Sequence, residues 1–436
     1  MTPFEAATHA DPYPYYAYLR RQGGLYFDTD LRLWIASSAS AVDALLGHPD
    51  CRVRPPDEPV PAAIAQGAAG LIFARLMRMN EGPQHMCPRM AIEPALAAVE
   101  TERIAGLVAR LVETLPVEHL DELMFTVPVC VIAALIGFPP SQLQDVARLT
   151  RDFVACLSPL SDDIQLDSAH GAATRLRQLF SALLSDANDS SRFLSHVQSA
   201  CAATAWRDRE ALIANLIGLL SQTCEASAGL IGNSLVALHR EPGLLAGGQQ
   251  VADLVAEVAR YDSPVQNTRR FVTQQCNIEG NVLAPGDTVL LLLASANRDP
   301  GANPDPDRCL LERTQRRTFS FGAGRHQCPG QPLALAIAAE AVSAWLRRQP
   351  AASVGAFRWR YLPSLNGRIP RFHGDRDTSD DRRVCSAREI NAAPNAPVVP
   401  PPRRTRPTTP AGWPAKTSPT CAPWRPESAA RGTPRR

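Results

Sequence analysis

The chain has 436 residues, of which 45% are hydrophobic and 20% are charged, a composition typical of a globular protein with a sizeable core. A formal net charge of +2 argues against a nucleic-acid-binding protein. The 11 cysteines form no CxxC pair, which argues against a disulfide scaffold or a zinc module and favours reduced thiols.

The N-terminal segment has no positively charged start followed by an apolar run, so we expect no signal peptide. No later stretch reaches about 18 consecutive apolar residues, the length that a membrane-spanning helix needs, so we expect no membrane anchor. Together with the cysteine pattern, these features predict a cytoplasmic protein.

Helical periodicity dominates the chain, and strand-like runs are short. Helices are predicted at residues 38–46, 91–115, 140–157, 169–184, 209–239, 249–261 and 333–348. Strands are predicted within residues 31–37, 268–286 and 288–294. Because strands and helices do not alternate, we predict a mainly α fold with a small β-sheet.

The predicted helix at 209–239 is apolar almost all round, as expected of a helix in a protein core. A polar island, residues 221–227, interrupts it with the sequence SQTCEAS. Polar groups in the middle of a buried helix must be hydrogen-bonded or functional. Two interpretations therefore stay open, a buried functional site and a set of satisfied hydroxyl groups.

The loop at 319–330, FSFGAGRHQCPG, places one cysteine, Cys328, just before a helix. A helix N-terminus and the neighbouring Arg325 and His326 favour a thiolate. Gly322 and Gly324 permit a tight turn and the close approach of a large ligand. From these features alone, a metal-ligating thiolate and a buried structural cysteine are comparably good explanations.

The last part of the chain, residues 373–436, differs in composition from the rest. It contains twelve of the 39 prolines, and it has twelve Lys or Arg against six Asp or Glu. Such a segment buries too little apolar surface to offset its ordering entropy, so we predict a disordered Pro/Arg-rich tail. A proline-rich partner ligand and a frameshifted C-terminus are the alternatives. The predicted folded domain is residues 1–372.

The cysteine loop resembles the haem-binding loop of the cytochromes P450, whose pattern is Phe-x-x-Gly-x-x-x-Cys-x-Gly. The matching residues are Phe321, Gly324, Cys328 and Gly330. Other segments resemble the family in the same chain order, namely HMCPR, EVAR, SPVQNTRRF, PDPDR and LPSLNGRIPRF. The resemblance covers roughly residues 10–372, and it implies the triangular, mostly helical haem domain of that family.

The resemblance assigns roles to individual residues. It implies that Cys328 ligates the iron of haem b. It implies the following cofactor-binding residues, several of them cations that neutralise the haem propionates: His85, Arg89, Arg270, Phe321 and His326. It also implies that Glu257, Arg260 and Arg308 form a bracing triad without a chemical role. Pro88 departs from the pattern, because a helix that carries it must begin near His85 or be kinked.

The resemblance also implies a reaction. A thiolate ligand favours cleavage of the O–O bond, so the expected enzyme is a monooxygenase that inserts one oxygen atom from O2 into a hydrophobic small molecule. A secondary metabolite, such as a terpenoid or polyketide, is the expected class. No flavin or nicotinamide domain is visible, so electrons are expected from a ferredoxin or flavodoxin. Two interpretations stay open for the basic residues near the loop, a docking surface for an acidic partner and an ordinary solvated surface: Arg313, Arg316, Arg317 and Arg325.

The proton-relay segment departs from the family's usual pattern of an acid followed by an alcohol. Glu225 occupies the acid position, but Ala226 replaces the alcohol, and Thr223 stands where glycine is usual. We predict catalytic roles for Glu225, Thr223 and Ser227, with either a polar group of the substrate or a hydroxyl of Thr223 or Ser227 serving as the relay. The alternatives are a peroxide-using or non-hydroxylating haem-thiolate enzyme and an inactive haem-binding or pseudogene product.

Overall fold

The computed structural model describes residues 1–114, 120–185, 191–348 and 358–373. The predicted tail, residues 373–436, lies outside the described residues except for His373. None of the helices in the described ranges combines the length and apolar character that crossing a bilayer requires.

Helices make up most of the described residues, which confirms the prediction of a mainly α fold. In chain order the α-helices are α1 Tyr13–Arg21, α2 Ala39–Gly47, α3 Ala68–Phe73, α4 Pro83–Ala97, α5 Thr101–Glu113, α6 Val127–Ile136, α7 Leu143–Ala155, α8 Asp163–Leu183, α9 Arg192–Ala203, α10 Arg209–Arg240, α11 Val251–Tyr261, α12 Leu293–Asn297 and α13 Gln331–Arg348. Two 3₁₀ turns, Met77–Met79 and Gly324–His326, lie at the candidate site.

The strands are short and form small sheets, as predicted. They are β1 Leu25–Asp28, β2 Leu33–Ala36, β3 Cys51–Arg52, β4 Thr268–Val272, β5 Cys276–Ile278, β6 Asn281–Leu283, β7 Thr288–Leu291, β8 Arg358–Tyr361 and β9 Pro370–His373. Within the described ranges, five of them form one sheet in the order β1-β2-β7-β4-β3, in which only β2 and β7 pair in parallel. β5 pairs with β6 and β8 with β9 in separate hairpin-like sheets.

The predicted single helix at 91–115 is wrong, because the chain there forms two helices, α4 and α5. The break falls at residues 98–100, where Glu100 adopts an extended conformation with ψ 135°. No glycine or proline marks this break, so the local sequence favours a continuous helix. The sequence patterns also missed five helices: α1, α3, α6, α9 and α12.

Helix α10 passes through the protein core and organises the rest of the fold. It begins where the Asp208 side chain accepts a hydrogen bond from the Ala211 amide at 2.9 Å. A Cβ atom added at Gly232 would lie 2.5 Å from Pro370 Cγ and 2.8 Å from Met124 Cε. The C-terminal half of α10 therefore requires small residues, because the chain near β9 packs directly on it.

A buried ion pair joins both ends of the folded body. Arg368 Nε lies 2.6 Å from Asp262 Oδ1, and the Tyr13 hydroxyl donates to the same carboxylate at 2.7 Å. Arg368 also donates to the carbonyl oxygens of His9 at 2.6 Å and Ala10 at 3.1 Å. These contacts satisfy a fully buried guanidinium and connect the N-terminal segment to the chain that leads into β9.

Candidate functional site

The cysteine loop is a tight turn that presents Cys328 just before α13. The Cys328 amide donates to the Phe321 carbonyl at 2.8 Å, which closes the loop. Gly322 and Gly324 have φ values of +67° and +64°, a region that favours glycine. A Cβ atom at Gly324 would lie 3.3 Å from Gly47 Cα. The loop therefore packs closely against the end of α2, as the glycine pattern predicts.

The Cys328 sulfur experiences opposing influences. Burial is the largest influence and raises the pKa of the thiol overall, while a hydrogen bond from the Gly330 amide and the positive charge of Arg89 partly oppose it. The amide and the arginine stabilise the thiolate, the form that ligates a metal ion. An amide that donates to sulfur is also a typical neighbour of a metal-bound cysteine.

Helix α4 clamps this loop through two of the predicted cofactor-binding residues. The two ring nitrogens of His85 lie 2.9 Å from the Met77 carbonyl and 3.0 Å from the Arg325 carbonyl. Arg89 donates to the Arg325 and Gln327 carbonyls at 3.2 and 2.8 Å. As expected from Pro88, α4 begins near His85, at Pro83. His85 and Arg89 thus hold the backbone of the cysteine loop.

The other two cations predicted at the propionates have buried nitrogens that lack protein acceptors. Arg270 Nε and His326 Nδ1 are buried without a hydrogen-bond partner. The other contacts of these side chains are a hydrogen bond from Arg270 Nη1 to the Arg269 carbonyl at 2.8 Å and the Glu81 carboxylate 3.2 Å from His326 Nε2. Burial and the charge of Arg325 lower the pKa of Arg270 to about 10. Burial is also the main cause that lowers the pKa of His326. The centroid of its ring lies 4.2 Å from that of the His85 ring. Buried donors without acceptors are costly. An anionic ligand such as a haem propionate supplies the missing acceptors, so these residues fit the cofactor.

Glu81 supplies the negative charge of this cluster. Its carboxylate lies 2.8 Å from Arg325 Nε and 3.2 Å from His326 Nε2. Burial raises the pKa of Glu81, but the contacts with His326 and Arg325 outweigh this effect and lower it to about 2. Glu81 therefore stays ionised and holds Arg325 against the carbonyl oxygens of the segment between α2 and β3.

The low pKa of Glu81 predicts an acid-sensitive contribution to stability. A pKa lowered from 4.5 to about 2 stabilises the fold above about pH 4.5, and this stabilisation is lost as the pH falls towards 2. Between about pH 5 and pH 3.5, the Glu81→Gln variant is expected to lose less unfolding free energy than the wild type, by on the order of 1 kcal/mol. Urea unfolding at each pH measures this. Glu100→Gln, in the exposed pair with Arg192, is the control, and equal pH slopes for wild type and Glu81→Gln would contradict the assignment.

A second network braces the loop from the other side, and here one predicted residue is wrong. Glu257 lies 2.6 Å from Arg260, 3.3 Å from Arg313 and 2.8 Å from Arg316. Arg308 contributes only its carbonyl, which accepts from Arg260 at 3.0 Å, and its side chain is exposed. The turn after Pro304 directs Arg308 outward. The chain returns to Glu257 at Leu310, whose amide donates to the carboxylate at 3.2 Å, and the next guanidinium to reach it is that of Arg313.

This network also changes the predicted docking surface for an electron donor. Arg313 and Arg316 point inward to Glu257, and the Arg313 side chain is only 6% exposed. Arg325 is bound by Glu81, and Arg317 pairs with Asp43 at the surface. The interpretation that these arginines dock a partner is therefore wrong for Arg313 and Arg316.

The polar island on α10 forms the accessible face of an otherwise buried helix. Gln222 and Glu225 are exposed and Thr223 and Ala226 are half-buried, while Ser227 is buried. The Thr223 hydroxyl donates to the Leu219 carbonyl at 2.8 Å. Although the Glu225 side chain is accessible, the protein atoms around its carboxyl group desolvate it and raise its pKa, and the charge of Arg78 partly opposes this. Each of the two open interpretations describes part of the island, because Gln222 and Glu225 are accessible while the Ser221 and Thr223 hydroxyls donate to carbonyls of the preceding turn.

Arg78 is a residue that sequence reasoning missed. It lies in the 3₁₀ turn Met77–Met79, with its Nε buried and without a hydrogen-bond partner. Burial lowers the pKa of its guanidinium, and Glu225 opposes that shift. The only available signal was an arginine inside the largely apolar run LIFARLMRM, and nothing in that pattern indicates the direction of the side chain.

Comparisons with known proteins agree with this geometry. The sequence model of the family described as Cytochrome P450 matches residues 251–348. A Xylella fastidiosa (strain 9a5c) protein named as a cytochrome P450, 133B2, is 30% identical over 384 residues, which cover 82% of this chain and 94% of that protein. The cytochrome P450 monooxygenase PikC of Streptomyces venezuelae is 29% identical, covering 82% of this chain and 89% of the relative. The ligand-free structure of CYP164A2 from Mycobacterium smegmatis is similar with a TM-score of 0.67 and 28% identity, covering 85% and 97% of the two chains.

Proposed function

The chain belongs to the cytochrome P450 family of monooxygenases, and we propose from that premise that it oxidises a hydrophobic secondary metabolite, with haem b held by Cys328. When bound through this thiolate, haem activates O2 so that one oxygen atom enters the substrate and the other leaves as water. The electrons come from a separate ferredoxin or flavodoxin. A terpenoid or polyketide is the proposed substrate class.

The observation that carries this proposal is the set of unpartnered buried donors beside the cysteine loop. Arg270 and His326 would donate hydrogen bonds to the two haem propionates, because Arg270 Nε and His326 Nδ1 are buried and have no acceptor among the described residues. His85 and Arg89 hold the carbonyls of the loop that carries Cys328, the residue that would ligate the haem iron. Phe321 packs against the main core and positions the start of the loop.

The residues of α10 are proposed to deliver protons. Because the surrounding protein desolvates Glu225 and raises its pKa, its carboxyl group retains a proton more readily than a fully hydrated glutamate and is suited to donate it. The Thr223 hydroxyl donates its hydrogen to the Leu219 carbonyl at 2.8 Å, so Thr223 is not placed to pass on a proton itself. Ala226 has no hydroxyl, so we propose that a polar group of the substrate completes the relay.

Substrate assistance predicts how variants of this segment behave. Ala226→Thr is expected to change the product formed per NADH consumed by no more than about twofold, because the relay does not depend on an alcohol there. Thr223→Ala and Ser227→Ala are expected to be equally mild, whereas Glu225→Gln is expected to lower this ratio at least about tenfold. Product yield and NADH oxidation, measured with the true substrate, give the ratio. A large gain in Ala226→Thr, or a large loss in Thr223→Ala or Ser227→Ala, counts against substrate assistance.

The proposed reaction is tested with isotopically labelled oxygen. The haem-loaded enzyme, NADH and a ferredoxin pair are incubated under labelled O2, and one labelled atom is expected in each product molecule. Turnover only with hydrogen peroxide would favour the peroxide-using alternative. Unlabelled desaturated or coupled products would favour a non-hydroxylating enzyme.

A further inference from the structure

Arg78 is a half-buried cation without an established partner. Its Nε is buried and makes no hydrogen bond, and in the part of the chain that the structure describes no carboxylate forms an ion pair with its guanidinium. Burying a guanidinium without an acceptor costs several kcal/mol, so proteins rarely keep one unless a ligand compensates. Arg78 therefore needs an anion that the protein itself does not supply at close range.

The position of Arg78 is fixed by α10. The Asn215 side chain accepts from the Met77 amide at 2.7 Å and donates to the Arg75 carbonyl at 2.9 Å. One turn further along, Gly218 lets Leu76 approach so closely that a Cβ atom there would lie 2.8 Å from Leu76 Cδ2. The segment that carries Arg78 is thus held against α10 by packing and by hydrogen bonds between the Asn215 side chain and the backbone of the segment.

The contacts also indicate which part of α10 lies near Arg78. Asn215 and Gly218, which hold this segment, share one helical stripe with Gln222 and Glu225, since their spacings are three, four and three residues. Gln222 and Glu225 are the exposed residues of that stripe. Arg78 and Glu225 influence each other electrostatically, but they form no ion pair in the described residues, so neither group satisfies the other by direct contact.

This cation is distinct from those assigned to the haem propionates. The charged groups acting on Arg270 include Arg325 and Glu81, which belong to the loop cluster. In the described residues, the charged group that acts on Arg78 is Glu225 of α10. Arg78 therefore belongs to the accessible face of α10, where the proposed function places the substrate.

We propose that Arg78 binds a carboxylate group of the substrate, with the guanidinium donating two hydrogen bonds to its two oxygens. This inference rests on the proposed function and narrows it to hydrophobic acids. A bound carboxylate beside Glu225 favours the protonated form of that glutamate, because a second negative charge nearby disfavours its ionisation. The substrate would thereby supply the polar group that Ala226 lacks.

The test compares acids with their neutral amides. Binding of dodecanoic acid, dodecanamide, cinnamic acid and cinnamamide to the ferric, haem-loaded protein is measured by calorimetry. At least one acid is expected to bind the wild type roughly 10- to 100-fold more tightly than its amide, and Arg78→Gln is expected to remove this preference. Arg75→Gln is the matched control and should keep the preference for acids. Arg75 lies in the same segment, and its side chain donates to the Leu71 carbonyl. No preference in the wild type, or an unchanged preference in Arg78→Gln, would overturn the proposal.

A stability measurement separates ligand binding from a structural role. Because Arg78 Nε has no partner, Arg78→Met is expected to leave the melting temperature of ligand-free protein unchanged or raised while losing the acid preference. A lower melting temperature with the preference retained would show that Arg78 is structural. The carbon monoxide spectrum of each variant reports thiolate ligation independently. If the wild type shows the carbon monoxide spectrum of a thiolate-ligated haem but no preference for acids over amides, only this inference is rejected. If it prefers acids but its carbon monoxide spectrum lacks the sign of a thiolate, only the proposed function is rejected.

Discussion

Cys328→Ser is expected to abolish product formation under conditions in which the wild type turns over. A serine hydroxyl stays protonated near neutral pH and does not supply the electron-rich sulfur ligand on which oxygen activation depends. Product should fall below detection even when the variant is saturated with haem. Turnover per haem, with haem content measured separately, distinguishes this loss from poor cofactor loading.

The control for this experiment is a cysteine remote from the loop. Cys201, a free and half-buried thiol on α9, can be replaced by serine at modest cost, so Cys201→Ser should keep its activity. Equal activity of Cys328→Ser and the wild type would remove the basis for assigning the iron ligand. Loss of activity in both variants would point to a general effect of removing cysteine.

Glu257→Gln is expected to destabilise the haem-binding body strongly. The Glu257 carboxylate is fully buried and receives three guanidinium groups, from Arg260, Arg313 and Arg316. Burial raises the pKa of Glu257, but the contact with Arg260, above all, lowers it overall, so the group is ionised at neutral pH. A neutral glutamine leaves buried positive charges uncompensated, at a cost of about 3–5 kcal/mol. Urea unfolding and the yield of haem-loaded protein measure the effect.

The same network allows a sharp comparison between two arginines. Arg313→Gln removes a nearly buried partner of Glu257 and is expected to destabilise the fold by roughly 2 kcal/mol or more. Arg308→Gln removes an exposed side chain and is expected to change stability by less than about 0.5 kcal/mol. A larger loss of stability in Arg308→Gln than in Arg313→Gln would restore Arg308 to the bracing triad and contradict the geometry described above.

Local sequence patterns predicted those parts of the molecule that depend on local chemistry. The bounds of α10, Arg209–Arg240, agree with the predicted 209–239 because an aspartate cap and an unbroken apolar run mark them. The cysteine loop was also predictable, since its glycines and its cysteine before a helix are visible in the sequence. The structure confirms that Gly322 and Gly324 have positive φ.

The features that sequence reasoning missed depend on tertiary packing. The break between α4 and α5 carries no helix-breaking residue, so the surrounding packing and not local propensity decides it. Arg313 and not Arg308 pairs with Glu257 because of the path of the chain after Pro304, which carries two possible partners five positions apart. The partnerless Nε of Arg78 becomes visible only when its segment is docked on α10.

The central claim is that the Cys328 sulfur ligates haem iron as a thiolate. The most direct measurement is the absorption spectrum of the reduced, haem-loaded protein after carbon monoxide is added. The account predicts a strongly red-shifted Soret band, because only an intact thiolate ligand opposite carbon monoxide produces that shift. A folded, haem-loaded protein whose carbon monoxide complex lacks the shifted band would contradict the account.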